Sequence, residues 1–267
     1  MIMSCLAILF LHKSNRRVMM KKHIISTIIA FFIIFSGTTA FGETITLATL
    51  NWAPFYGEKL PENGFFAALS REAFKRAGYD MKLKFMPWNR ALEMSKTGKF
   101  DGLLGAYYSE EREEHFVFTV PVSQNQESFF QKKGGNISFS TLDDLKSYKI
   151  GGLLGGAPTK ELKAKGFKVE GTANELTSVK KVNAGRLDLL IMGKQNLYYA
   201  MSNDPEYKAF KDALDVIEPP FKSYDLYCPI TKKRPDAKTI ADKFNAALEQ
   251  MKADGTYDAI LARFGQK

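Results

Sequence analysis

Residues 98–112 read GKFDGLLGAYYSEER. Gly98 stands where a short helix over 91–96 would end, and glycine tolerates the left-handed turn that closes a helix. Asp101 then opens an apolar run over 102–106, short enough for a buried strand. The same order returns at Gly185-Arg186-Leu187-Asp188, ahead of Leu189-Leu190-Ile191. Helix, glycine, aspartate and buried strand thus occur twice. Either one α/β unit has been duplicated, or such a unit simply recurs, as it can in any α/β chain.

Before this stretch, residues 44–50 (TITLATL) read as a strand that Pro54 and Gly57 break. Phe66, Leu69, Ala73 and Ala77 recur at helical spacing up to Gly78, and residues 81–86 alternate as a strand. After it, residues 127–131 read as a strand followed by Lys132-Lys133-Gly134-Gly135, a linker signal. The pattern restarts at Thr141-Leu142-Asp143-Asp144, which has the form of a capping box. Residues 148–153 predict a strand that leads into Gly155-Gly156-Ala157-Pro158. Leu176, Val179 and Val182 predict a helix, and residues 187–192 a buried strand. Pro219-Pro220 marks a second break before a strand over 224–230. Two apolar helical faces follow: Ile240, Phe244, Ala247, Leu248 and Met251, then Tyr257, Ile260, Leu261 and Phe264. Alternating strands and helices predict an α/β protein with helix-covered parallel sheets. The two breaks divide it into two lobes: residues 43–133 with 224–267, and residues 134–223.

The chain has 267 residues, 38 of them basic and 29 acidic, for a formal charge of +9. Lys13, Arg16, Arg17, Lys21 and Lys22 lie within residues 1–42, where there is no acid. The other 33 basic residues against 29 acids give only +4, so no nucleic-acid partner is expected. Lys21-Lys22, an apolar stretch over 24–35, and Ala40-Phe41-Gly42 before a cut at Glu43 have the order of a secretory signal peptide. The apolar stretch is shorter than the ~20 residues a membrane span needs. Translation is expected to start at Met19 or Met20, and residues 1–42 to be removed on export to the periplasm. Cys5 would leave with them. Cys228 would then have no internal partner, and the fold would rest on its core alone.

Taken in order, these motifs resemble family 3 extracellular solute-binding proteins, receptors of polar amino-acid uptake. The resemblance runs from about Thr44 to Gly265. It is carried by Asn51-Trp52-Ala53-Pro54-Phe55, Pro87-Trp88, Gly98 through Asp101, Gly105 through Arg112, Thr141 through Leu145, Gly185 through Asp188, and Ala253 through Asp258. It implies the type II periplasmic-binding-protein fold: two α/β lobes, joined by two β-strand hinge crossings near 132–136 and 219–224, that close on a ligand.

The resemblance also implies a site. Arg112 falls at the family's carboxylate-binding arginine, and a guanidinium offers a carboxylate two parallel donors. On the residues alone it could instead pair with Glu110, Glu111, Glu113 or Glu114 on a solvated turn. Ser109 would add a hydroxyl to the carboxylate, beside Ala106 and Tyr107. Tyr107 replaces a small residue and would narrow the pocket or add a donor. Gly155, Gly156 and Ala157 open a helix whose free N–H groups can hold an anion, or form a plain loop. The family has hydroxyl residues where Gly156 and Ala157 stand. Trp52, Phe55 and Trp88 follow strand ends, where open α/β sheets bind ligands. Their rings would sandwich a ligand or belong to the core, and Asn51 would add a polar contact. Gly193 replaces the aspartate that holds a ligand ammonium, so another acid must serve that group or the solute lacks it.

The implied function is capture of a small carboxylate-bearing solute, an amino acid or relative, for an ABC transporter permease in the inner membrane. The ligand would act by shifting the population toward a closed state. A monomer without catalysis, cofactor or metal is expected, since no Cys or His pair stands at metal-ligand spacing. Two alternatives stand beside it. One is a lyase on the same fold, similar to the few relatives that act on cyclohexadienyl acids, with His115 or a carboxylate such as Glu58 moving the proton. The other is a soluble sensor partner of a signalling receptor.

Overall fold

The computed structural model describes residues 42–266, so the expected signal peptide and start sites lie outside the described residues. The chain first forms β1 (Glu43–Thr49), α1 (Phe65–Arg76), β2 (Tyr79–Phe85), α2 (Trp88–Lys96) and β3 (Gly102–Leu103). Phe65, Phe66, Leu69, Ala73 and Phe74 form the buried face of α1. Gly78, just beyond it, takes φ +90°, a conformation glycine enters without strain. Next come β4 (Ala106–Tyr107), the one-turn α3 (Glu110–Glu113), β5 (Phe116–Val117) and the long β6 (Ser123–Lys132).

A second set follows: β7 (Lys149–Leu153), α4 (Ala157–Ala164), β8 (Lys168–Thr172) and α5 (Glu175–Asn183). It continues with β9 (Leu189–Gly193), α6 (Lys194–Asn203) and α7 (Pro205–Lys208). The long β10 (Leu214–Tyr227) then returns to β11 (Ile230–Thr231), α8 (Ala237–Ala253) and α9 (Thr256–Arg263).

Two sheets result, one per lobe. The first has the order β2-β1-β3-β11-β5 and the second β4-β10-β6-β9-β7-β8. The repeated aspartates make the same bonds in each. Asp101 Oδ2 accepts from Thr46 N at 2.7 Å, and the Asp101 N–H donates to the Thr46 carbonyl at 2.9 Å. Asp188 Oδ2 accepts from Lys149 N at 2.7 Å, and its N–H donates to the Lys149 carbonyl at 2.9 Å. In both copies the aspartate ties the start of a buried strand to its parallel neighbour, after a glycine at positive φ (Gly98 +82°, Gly185 +69°).

The expected breaks fall elsewhere in the fold. Pro219 and Pro220 do not end a strand. They lie inside β10, where its register against β6 shifts between Ile217 and Lys222. At such an irregularity the missing N–H of proline costs no ladder bond. Lys132–Gly135 is a turn at the far end of β6. After β4 has briefly joined the second sheet beside β10, the chain enters that sheet for good at 118–122 and leaves it at 228–229, because β6 and β10 run together as an antiparallel pair through it.

The first core packs α1 and α8 on the sheet, with Phe74 and Phe244 at 4.6 Å. Ile240, Phe244, Ala247, Leu248 and Met251 are all buried, as their spacing predicts. The second sheet is covered on both faces. Phe129 and Ile191 point into one core, and their neighbours Phe130 and Leu190 into the other, as alternate residues of a strand must. Each such side chain contributes about 1.5–3 kcal/mol by leaving water.

Candidate functional site

Ends of strands and starts of helices from both lobes meet at a cavity of about 50 Å³. The first lobe supplies Trp52, Tyr56 and Trp88, and the second supplies Glu175 and the start of α4 from Gly156 to Thr159. Tyr107, Arg112 and Glu127 line it as well.

Arg112 lies on α3 and is 2% exposed. Ser109 caps that turn, its Oγ accepting from Arg112 N at 3.3 Å. With the backbone so fixed, the guanidinium reaches inward. Nη1 donates to the Tyr107 carbonyl at 2.6 Å and Nη2 to the Gly155 carbonyl at 3.0 Å. Its Cζ sits 5.3 Å from the Trp88 ring centroid. The four nearby glutamates are exposed, and Glu111 pairs with Lys160 at 2.6 Å and Lys96 at 3.2 Å rather than with Arg112. Among the described residues Arg112 belongs to no ion pair. Burial pushes its guanidinium down to about 10.

Gly155 has φ +77°, and a Cβ there would stand 2.8 Å from Asn89 Oδ1. Glycine therefore lets the second lobe bring a bare carbonyl against the first, where Trp88 Nε1 donates to it at 3.1 Å. Trp52 Nε1 likewise reaches across to Glu175 Oε1 at 3.2 Å, and Asn196 Nδ2 to the Ala53 carbonyl at 2.9 Å. The lobes are closed on each other.

The Tyr107 hydroxyl donates to Glu127 Oε1 at 2.7 Å and accepts from Asn125 Nδ2 at 2.8 Å. Its ring stacks on Tyr224 at 4.6 Å. Burial pushes this phenol well above its ordinary range. Glu127 is 4% exposed, and burial pushes it up to about 7 against the opposing hydrogen bonds from Tyr107 and Asn125. Glu175 is half-buried, and its carboxyl is pushed up to about 8, first by desolvation and then by the charge of Glu127.

Of the residues singled out from sequence, Arg112, Tyr107, Trp52, Trp88, Gly156 and Ala157 line the cavity. Gly155 meets it only through the bonds its carbonyl accepts. Phe55 is fully buried in the first core, stacked on Trp52 at 5.0 Å. Asn51 is exposed, and its Oδ1 accepts from Glu58 N at 2.7 Å. Ala106 packs with Trp88 and Leu92 in a small core. Ser109 Oγ accepts the capping bond, which leaves its O–H able to donate. Gly193 is closed in: a Cβ there would stand 2.1 Å from Asn196 Oδ1 and 2.4 Å from Asn125 Nδ2. His115 is half-buried and stands apart from the cavity wall.

Tyr56, Thr159, Glu127 and Glu175 escape the sequence reading. Tyr56 fits because Gly105 has no side chain: a Cβ would lie 2.1 Å from the ring. Glu175 follows the cap Asn174, so the helix dipole alone accounts for an acid there. The available signal for Glu127 is an acid leading the apolar pair Phe129-Phe130 in a strand.

The family model for bacterial extracellular solute-binding proteins, family 3, matches residues 45–267. A probable histidine-binding protein of Campylobacter jejuni is 24% identical over 262 residues, covering 92% of this chain and 99% of that one. The lysine/arginine/ornithine-binding periplasmic protein of Escherichia coli is 24% identical over 255 residues, covering 92% and 97%. Among solved structures, an ancestral arginine-binding protein bound to arginine superposes with a TM-score of 0.67 at 26% identity, covering 84% of this chain and 99% of that one.

Proposed function

The chain belongs to the bacterial extracellular solute-binding proteins, family 3, and from that premise we propose that it is a periplasmic receptor for a small carboxylate-bearing solute, an amino acid or close relative, which it delivers to an ABC-type permease in the inner membrane. Arg112 carries this proposal. Its guanidinium is 2% exposed at the interlobe cavity and is held by two carbonyl oxygens rather than by a carboxylate. A desolvated cation gains most from an anion that arrives with matching geometry. The N-terminus of α4, at Gly156 and Ala157, adds backbone N–H groups and the positive end of a helix dipole. The ligands in the relatives' names, histidine and arginine, support an amino acid.

Binding works by population shift. A solute that touches both lobes favours the closed state in which Arg112 and Trp88 meet Gly155 and Trp52 meets Glu175. The protein acts as a monomer and releases its solute unchanged.

The test is a thermal-shift panel of L-amino acids, amines, dicarboxylates and small aromatic acids, with mass spectrometry of the recovered compound. A true ligand at a hundred times its Kd adds about 2.7 kcal/mol of stability. Stabilisation by carboxylate-bearing compounds, recovered intact, is expected. Conversion of a cyclohexadienyl acid would make the protein a lyase, and a panel in which no carboxylate stabilises it would overturn the proposal.

A further inference from the structure

Tyr107 lines the cavity with a ring that is fastened to the second sheet. Its backbone on β4 lies opposite Leu226 of β10. Its hydroxyl donates to Glu127 Oε1 at 2.7 Å and accepts from Asn125 Nδ2 at 2.8 Å, both on β6. The ring stacks on Tyr224 at 4.6 Å and meets Trp52 of the first lobe nearly edge-on, at 5.9 Å and 76°. Trp52 is held in turn by its stack on Phe55 at 5.0 Å and by the bond from its Nε1 to Glu175. A buried ring gripped by stacking and by two hydrogen bonds cannot turn aside without breaking them.

Room for those two bonds comes from a glycine. β6 pairs with β9 so that Glu127 lies directly opposite Gly193. Asn125, two residues back along β6, projects to the same face as Glu127. A Cβ on Gly193 would stand 2.4 Å from Asn125 Nδ2 and 2.1 Å from Asn196 Oδ1. A side chain there would push Asn125 off the Tyr107 hydroxyl. Tyr107 and Gly193, two of the positions at which the chain departs from the family pattern, therefore form one interlocked unit.

This fixed ring is a wedge, and it stands beside the anchor. Arg112 Nη1 donates to the carbonyl of Tyr107 itself at 2.6 Å, so a carboxylate seated on the guanidinium starts next to the ring. We infer that Tyr107 is a specificity-determining residue that shortens the cavity, so that the captured carboxylate is small, of about six non-hydrogen atoms or fewer. The inference rests on Arg112 as the carboxylate anchor. Its size limit follows from the space available. One water needs about 10–15 Å³, so a cavity of about 50 Å³ holds about four water-sized groups. Side-chain shifts on binding extend that to about six. Glycine, alanine and lactate fall within the limit. Histidine and arginine, the ligands in the relatives' names, exceed it. Trp52, Tyr56 and Trp88 also line the cavity, each packed into a core of the first lobe, and a larger solute would overpack against them.

The experiment is isothermal titration of the purified protein with two sets of acids that differ in length. Glycine, L-alanine, β-alanine, L-lactate and propionate form the short set. L-glutamine, L-histidine, L-arginine and L-phenylalanine form the long one. The tightest short acid should bind at least about tenfold more tightly than the tightest long one, since a single methylene already changes binding by about 10–200-fold. Tyr107→Ala should cut that ratio at least about tenfold by gaining affinity for a long acid, a gain that no merely structural role produces. Should Tyr107→Ala fail to fold, Tyr107→Val, which keeps the strand propensity of the position, carries the same expectation. A long acid that binds wild type as tightly as the best short one overturns the size limit while Arg112 keeps its role. So does a folded Tyr107 variant that retains the wild-type ratio. If neither set binds, both this inference and the carboxylate assignment fall.

Discussion

Replacing Arg112 with methionine should separate ligand binding from folding. Burial lowers this guanidinium from 12.5 to about 10, so holding its charge in the closed cleft costs about 3 kcal/mol at 1.36 kcal/mol per pKa unit. Two charge-assisted hydrogen bonds to the Tyr107 and Gly155 carbonyls offset that by about 1.5–3 kcal/mol each. The bonds together outweigh that cost by about 0–3 kcal/mol, and methionine keeps much of the packing against Trp88. The ligand-free Arg112→Met protein should therefore melt no more than about 9 °C below wild type, at about 3 °C per kcal/mol for a domain of this size. Affinity should fall far more. Losing one side of a buried charge pair costs about 2–5 kcal/mol, or roughly 30-fold to several thousand-fold in Kd. Differential scanning calorimetry gives the first quantity and isothermal titration with the best carboxylate probe the second. A melting point lowered by 10 °C or more with unchanged affinity would make Arg112 a structural pin and refute the reasoning.

In the closed cleft burial raises Glu127 to about 7, against hydrogen bonds from Tyr107 and Asn125, and Glu175 to about 8, against one from Trp52, whereas an unfolded glutamate loses its proton near 4.5. A carboxyl whose folded pKa is raised stabilises the fold below its unfolded pKa, and that stability is lost as pH rises through the folded value. Melts of the ligand-free protein should fall between pH 5 and 8.5, and Glu127→Gln should flatten the slope; an unchanged slope would count against Glu127 as a titrating group. Glu111 bridges Lys96 and Lys160 across the cleft edge but is exposed, so Glu111→Gln should weaken the closed state by only about 0.5–1 kcal/mol. Affinity should drop a few-fold at low salt and not at 0.5 M, as a titration series shows, because a surface pair is screened. Gly193→Asp should not restore a conventional ammonium site. Its Cβ would collide with Asn196 and Asn125 and its charge would face Glu127, so a loss of about 2 kcal/mol or more is expected from denaturant melts.

Much of the site was legible because its chemistry is local. Arg112 stands on a one-turn helix whose serine cap is written three residues before it, and the cap aims the side chain. Trp52 and Trp88 follow strands with unambiguous alternation. Ser109 serves the Arg112 turn with its oxygen alone, accepting from Arg112 N, so its O–H is left able to donate elsewhere. Phe55 and Asn51 flank Trp52 in the chain, yet one points into the core and the other into solvent. Only the geometry of the Trp52–Tyr56 bridge separates them.

The order of elements, the apolar helix faces and the twin aspartates follow from the sequence itself, because hydrophobic period, glycine caps and strand starts are set by residues a few places apart. The pairing of Glu127 with Gly193, and of Trp52 with Glu175, joins residues 66 and 123 positions apart. No local pattern encodes such meetings. Whether an acid is a solvated surface charge or part of a cavity wall depends on what folds against it, and tertiary packing alone decides that.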